Sequence, residues 1–113
     1  MAINTAQIIK NILNFKYRNK GTILTAPTMT FNNAVNYVNS GNITDHIKVM
    51  VYDGANWAEV TIANLPDGAS WTFVDSTVDL KDYAGKENVK IAFKYVSTTA
   101  VAPTWEIKTV SIK

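Results

Sequence analysis

The sequence predicts an all-β, antiparallel β-sandwich, and three observations carry that prediction. Apolar and polar residues alternate with period two in several separate segments, and short turn signals divide those segments. In the last segment the apolar phase slips by one residue, the mark of a β-bulge. Nearly half of the 113 residues are apolar and the charged fraction is 18%, so the chain has enough apolar side chain for one core and folds as a single domain over residues 1–113.

The first segment carries two competing patterns. Ile8, Ile9, Ile12 and Leu13 follow Asn4 and Thr5 as an amphipathic helix follows its cap. Leu13, Phe15 and Tyr17 instead alternate with Asn14, Lys16 and Arg18. The expectation is a short N-terminal helix of a turn or two, then a strand. Asn19-Lys20-Gly21 marks a turn, and Thr22 to Thr25 resumes an extended course before Pro27. Met29 and Phe31 open the next strand, with Val35 and Tyr37 on the same parity and Asn32, Ala34 and Asn36 on the other.

The middle of the chain fixes its own register. Ile47, Val49 and Val51 alternate before Asp53-Gly54-Ala55-Asn56, and Ala58, Val60 and Ile62 alternate after it. A loop of those residues pairs Tyr52 with Trp57, and outward from there Val51 with Ala58, Val49 with Val60 and Ile47 with Ile62. The apolar residues share one face. Tyr52, Trp57, Met50, Glu59, Lys48 and Thr61 fall on the other, so two large aromatics sit side by side away from the main core.

Pro66-Asp67-Gly68 is a turn signal, after which Trp71, Phe73 and Val74 begin a strand. Val78-Asp79-Leu80 leads into Asp82-Tyr83-Ala84-Gly85. Val89, Ile91, Phe93 and Tyr95 then alternate with Lys90, Ala92 and Lys94. Trp105 and Ile107 lie on one parity and Val110 and Ile112 on the other, which places the bulge at Lys108 and Thr109. The expectation is a C-terminal hairpin closing the sandwich, with Trp71 and Trp105 both in the core.

Composition excludes several functions. There is no cysteine, so neither a disulfide nor a thiolate metal site can form. A formal charge of +2 comes from lysines scattered along strand faces rather than a basic stripe, which argues against nucleic acid. No apolar run approaches the ~18 residues of a membrane helix, so membrane insertion is not expected. His46, the single histidine, has no Ser, Thr or carboxylate at a recognised catalytic spacing and is read as a solvated loop end. Asp75, Asp79 and Asp82 are close in sequence but read as capping and turn residues. No catalytic residue and no cofactor is expected; Asp75 and Asp79 are the weak candidates for a metal.

The stronger candidates are Tyr52 and Trp57, flanking a loop that carries Asp53 and Asn56. A flat aromatic beside hydrogen-bonding groups stacks on sugar rings or anchors a protein partner. The competing arrangement is that Ile8, Ile9 and Ile12 cover this face and make it a second core. Asn42-Ile43-Thr44 also matches a glycosylation acceptor, a short and common motif.

Four segments in order, TAPTMTFNNAVNY from Thr25, GASWTFVDSTVDLKDYAGK from Gly68, VKIAFKYVST from Val89 and the closing TWEIKTVSIK, resemble the choice-of-anchor J domain. That family is related to the cleaved-adhesin domains of secreted and surface proteins of gut and oral anaerobic bacteria. The resemblance implies a jelly-roll-like sandwich and a non-catalytic binding or adhesion module, secreted or on the cell surface, with its export signal outside this chain. With the aromatic pair at Tyr52 and Trp57, a glycan is the first expected ligand and a surface partner the other. The alternative is a structural domain that docks on a neighbour or self-associates through an open sheet edge. Residues 1–21 match neither the opening strand nor the tryptophan-rich loop of such domains. Lys108 and Thr109 stand where calcium-binding relatives carry acids, so the resemblance implies the bulge without its calcium.

Overall fold

The computed structural model describes residues 26–86 and 88–113 with their side chains, together with the backbone course of three strands nearer the N-terminus. Those three are β1 (Thr5–Phe15), β2 (Arg18–Asn19) and β3 (Thr22–Ile23). They are followed by β4 (Thr28–Asn36), helix α1 (Ile43–His46), β5 (Ile47–Tyr52), β6 (Trp57–Val60), β7 (Val74–Asp79), β8 (Val89–Ser97) and β9 (Thr104–Ile112). A 3₁₀ turn at Lys81–Tyr83 links β7 towards β8.

The fold is all-β and sandwich-like. One antiparallel sheet has the order β1-β8-β5-β6 and the other β7-β4-β9, with β2 and β3 forming a small ribbon. Met29 and Phe31 of β4 and Val78 of β7 meet Val49 and Val51 of β5 and Val89, Ile91 and Phe93 of β8 in one buried cluster. The Phe93 ring stands edge-on to Phe31 at 5.2 Å and to Trp105 at 5.7 Å, both from the other sheet. Edge-to-face geometry sets ring hydrogens against π-faces and adds to the area each ring buries.

β5 alternates buried and half-buried along its whole length, as its sequence period requires. Its pairing with β6 follows the sequence register for Tyr52 with Trp57, Val51 with Ala58, Met50 with Glu59 and Val49 with Val60. The two outermost pairs of that register do not form. After Val60 the chain leaves β5, and Ala63 bridges Thr77 of the facing sheet through hydrogen bonds of 2.8 and 3.0 Å. Ile62 still reaches the core cluster, whereas Lys48 bonds Glu59 at 3.3 Å. Ala58 is exposed despite its inward parity, because β6 is the edge of the wider sheet.

Three further expectations are corrected at the level of the fold. Residues 5–15 form a strand paired with β8, not a short helix: the register steps from Ile9 opposite Phe93 to Leu13 opposite Ile91. This irregularity explains the misleading pattern, since extra residues in one strand bring apolar positions to helix-like spacing. The C-terminal third is not a hairpin, because β8 and β9 lie in different sheets. Alternation fixes which face turns inward but not which strand is the neighbour. Phe93 and Trp105 consequently meet across the core rather than side by side.

The bulge itself is where the phase slip puts it. Thr30 opposes Ser111 and Asn32 opposes Lys108, with Thr109 at φ 57°. The third correction is His46, which is buried at 4% exposure rather than solvated. Its Nδ1 lies 2.8 Å from the Val96 carbonyl oxygen and donates the proton there.

Candidate functional site

Tyr52 closes β5 and Trp57 opens β6, so their pairing in the ladder sets the rings together on the outer face. The centroids are 5.4 Å apart with the planes tilted by 44°. Trp57 is 42% exposed and Tyr52 half-buried, while the expected alternative of a cover by Ile8, Ile9 and Ile12 falls on side chains outside the described residues. From β8, Lys90 opposes Tyr52 and brings its ammonium to 5.5 Å from that ring centroid. A cation, a phenol and an indole therefore run in a row across three adjacent strands.

The loop between them is held by its own first residue. Asp53 Oδ1 accepts from the backbone N–H groups of Ala55 and Asn56, each at 2.8 Å, and Gly54 takes φ 105°. Those donors, with a smaller contribution from Lys86, hold the Asp53 carboxyl below its ordinary range. Burial, then the charges of Asp53 and Asp82, push the Tyr83 hydroxyl above its ordinary value. Asp53 thus fixes the turn, and the exposed Asn56 and the two rings offer the contact surface.

The acids are not drawn together. Asp75 accepts from Asn32 Nδ2 at 2.9 Å, while Asp79 accepts from the Lys81 backbone N–H at 2.9 Å. Four residues along one strand separate them by ~13 Å, too far to share an ion whose ligands sit ~2.4 Å away. Among the described residues no group of three or more His, Asp or Glu is placed to hold a metal.

Trp105 is half-buried and packs on the core, its Nε1–H donating to Asn33 Oδ1 at 3.0 Å. Trp71 does not enter the core. It lies ahead of β7, 43% exposed, with its ring edge-on to Tyr37 at 6.0 Å. Tyr37 was on the inward parity of β4, yet it is 52% exposed, because its φ of 67° rotates it out of the alternation. A left-handed aromatic residue costs ~1–3 kcal/mol and persists only where its surroundings enforce it.

Tyr37 lines a cleft of about 560 Å³ between the Asn36–Ile43 loop and the Asp67–Ala69 turn, and Trp71 reaches it only through its contact with Tyr37. The sequence signal for it was the asparagine-dense run Asn36-Tyr37-Val38-Asn39-Ser40-Gly41-Asn42. Asparagine tolerates the left-handed conformation that ends a strand sharply. Comparison with known proteins adds nothing to this geometry: no family model, no curated protein and no solved structure matches the chain.

Proposed function

We propose that the chain is a non-catalytic binding module of the adhesive kind, displayed outside the cell, and that it recognises a glycan through the Tyr52–Trp57 pair. One observation carries this reading: two rings 5.4 Å apart, one of them 42% exposed, flank a loop pinned by two Asp53 hydrogen bonds. A rigid aromatic face loses little entropy on contact, and the apolar face of a sugar ring stacks on it while its hydroxyls reach Asn56. A jelly-roll-like topology belongs to the same proposal. Its support is that the chain passes from one sheet to the other between β4 and β5, β6 and β7, β7 and β8, and β8 and β9. The resemblance to choice-of-anchor J domains supports export and rests on the segments quoted above.

The second reading, docking or self-association, has an observation of its own. β6 is an edge strand, and Trp57, Ala58 and Glu59 are all exposed along it, as an unpaired edge awaiting another chain would be. A glycan-array screen with sedimentation of the same sample separates the readings. Trp57→Ala is expected to weaken glycan binding by ~1–2 kcal/mol while the protein stays monomeric. Concentration-dependent dimerisation abolished by Trp57→Ala, with no array signal, would establish the edge contact instead.

A further inference from the structure

We propose that the cleft beside Tyr37 and Trp71 is a second ligand site, one that takes an uncharged polyhydroxylated ring such as a neutral pyranose. It goes beyond the Tyr52–Trp57 reading and does not depend on it. Val38, next to Tyr37, packs with Ile47 at the start of β5, and Tyr52 ends that strand. At the rise of an extended chain Ile47, on which Val38 packs, and Tyr52 lie ~16 Å apart along β5, so the two aromatic pairs belong to different ends of that strand.

The cleft is built rather than incidental. Tyr37 N–H donates to Asn36 Oδ1 at 2.8 Å, and Val38 N–H donates to the Gly68 carbonyl at 3.0 Å, which ties the two walls together. At Gly68, with φ +78°, an added Cβ would fall 2.8 Å from Val38 Cγ2. At Gly41 it would fall 2.9 Å from His46 Nε2. At Gly68 only glycine lets the two walls approach this closely. The cleft volume of about 560 Å³ lies within the range of small-molecule sites.

The chemistry of the lining selects the ligand. Asn36, Asn39 and Asn42 contribute side-chain amides and Asp67 a carboxylate, and no lysine or arginine lines the cleft. Asn36 Oδ1 is engaged by Tyr37 N–H, and Asn42 Oδ1 by the Thr44 N–H and hydroxyl. Their amide nitrogens have no hydrogen-bond partner among the described residues. Asp67 accepts from Ala69 N–H and the Ser70 hydroxyl, which hold its carboxyl ionised and below its ordinary range. An anionic ligand meets that negative charge with no cation to receive it. A sugar hydroxyl both donates and accepts, so vicinal hydroxyls match mixed amides and carboxylate, while Tyr37 in the lining supplies the apolar contact and the exposed Trp71, edge-on to it at 6.0 Å, extends that contact at the rim.

The test is a ¹⁵N-labelled titration with a panel of neutral methyl glycosides and, in parallel, sialic acid and a sulfated monosaccharide. At least one neutral glycoside is expected to shift the amide resonances of Tyr37, Asn39 and Ala69 together with one of the three indole N–H signals. Trp71→Ala should weaken that binding about tenfold or more, and Trp57→Ala should leave it unchanged. Because Trp71 is largely outside the core, its loss should not unfold the protein. Tyr37→Asn, which keeps the left-handed backbone, is the second variant and should weaken binding similarly. The proposal is overturned if no neutral glycoside shifts these resonances at tens of millimolar, if only the anionic sugars do, or if both variants bind as the parent does.

Discussion

Asn33 shows how a polar residue holds the seam between the strands of the narrower sheet. It is completely buried on β4, donates from Nδ2 to Ser76 Oγ at 2.9 Å, and accepts from Trp105 Nε1–H at 3.0 Å. Ser76 in turn donates to the Asn64 carbonyl at 2.8 Å. A satisfied network of this kind contributes modestly, but removing one member strands the others. Trp105→Phe, which keeps a ring against Phe93, should therefore cost ~1–3 kcal/mol, and Trp105→Ala ~3–5 kcal/mol, read as shifts in urea midpoint. A Trp105→Phe protein as stable as the parent would show that the indole hydrogen bond adds nothing. Asp67 gives a prediction in pH. Its folded pKa is lowered, chiefly by the Ala69 N–H and then the Ser70 hydroxyl, so its stabilising contribution is present above the unfolded carboxylate pKa and is lost as pH falls through the folded one. Asp67→Asn should flatten the acid limb of a stability profile below about pH 4; an unaltered limb would refute that role. The turn at Asp67 and the inward place of Trp105 were legible in the sequence; the Asn33 network was not. Alternation places Asn33 on the inward parity of β4 but does not report the partner waiting on the next strand.

Among the elements, legibility followed how local the determining contacts are. The β5–β6 register could be read because a short loop joins two strands whose apolar residues must share a face. The β9 bulge could be read because it breaks parity within one strand. β1 could not, because its pairing irregularity with β8 imitates a helical pattern, and its partner lies some eighty residues away in sequence. Trp71 and Tyr37 were misplaced for a related reason: the left-handed turns at Tyr37 and Asn39 end β4 abruptly, and the aromatic pair forms between segments that no periodicity connects. The bulge offers a test at this scale. Thr109 is exposed and sits at φ 57°, where a β-branched side chain is disfavoured and asparagine is tolerated. Thr109→Asn should raise stability by ~0.5–1 kcal/mol, seen as a higher melting temperature. A lower melting temperature would mean that the threonine side chain makes a stabilising contact there.

At the scale of the whole molecule, the placement of charge decides whether a metal belongs to the fold. The carboxylates whose contacts are described each have work to do already: Asp53 and Asp67 cap their turns, Asp75 holds Asn32 and Asp79 holds the backbone after β7. Lys108 places its ammonium 4.2 Å from the Phe73 ring centroid, beside the bulge in β9. A divalent ion there would meet a cation already seated on an aromatic face, and hard cations require several oxygen ligands at short range. A ligand stabilises a protein only as far as it binds the native state in preference to the unfolded one. Millimolar calcium, or a chelator, should accordingly leave the melting temperature unchanged. A rise of several degrees with calcium would contradict this, and the response of Asp75→Asn and Asp79→Asn would then locate the ion. If each variant kept the calcium response, the site would lie away from these two residues; if both lost it, the two carboxylates would have to approach each other by a rearrangement of that strand.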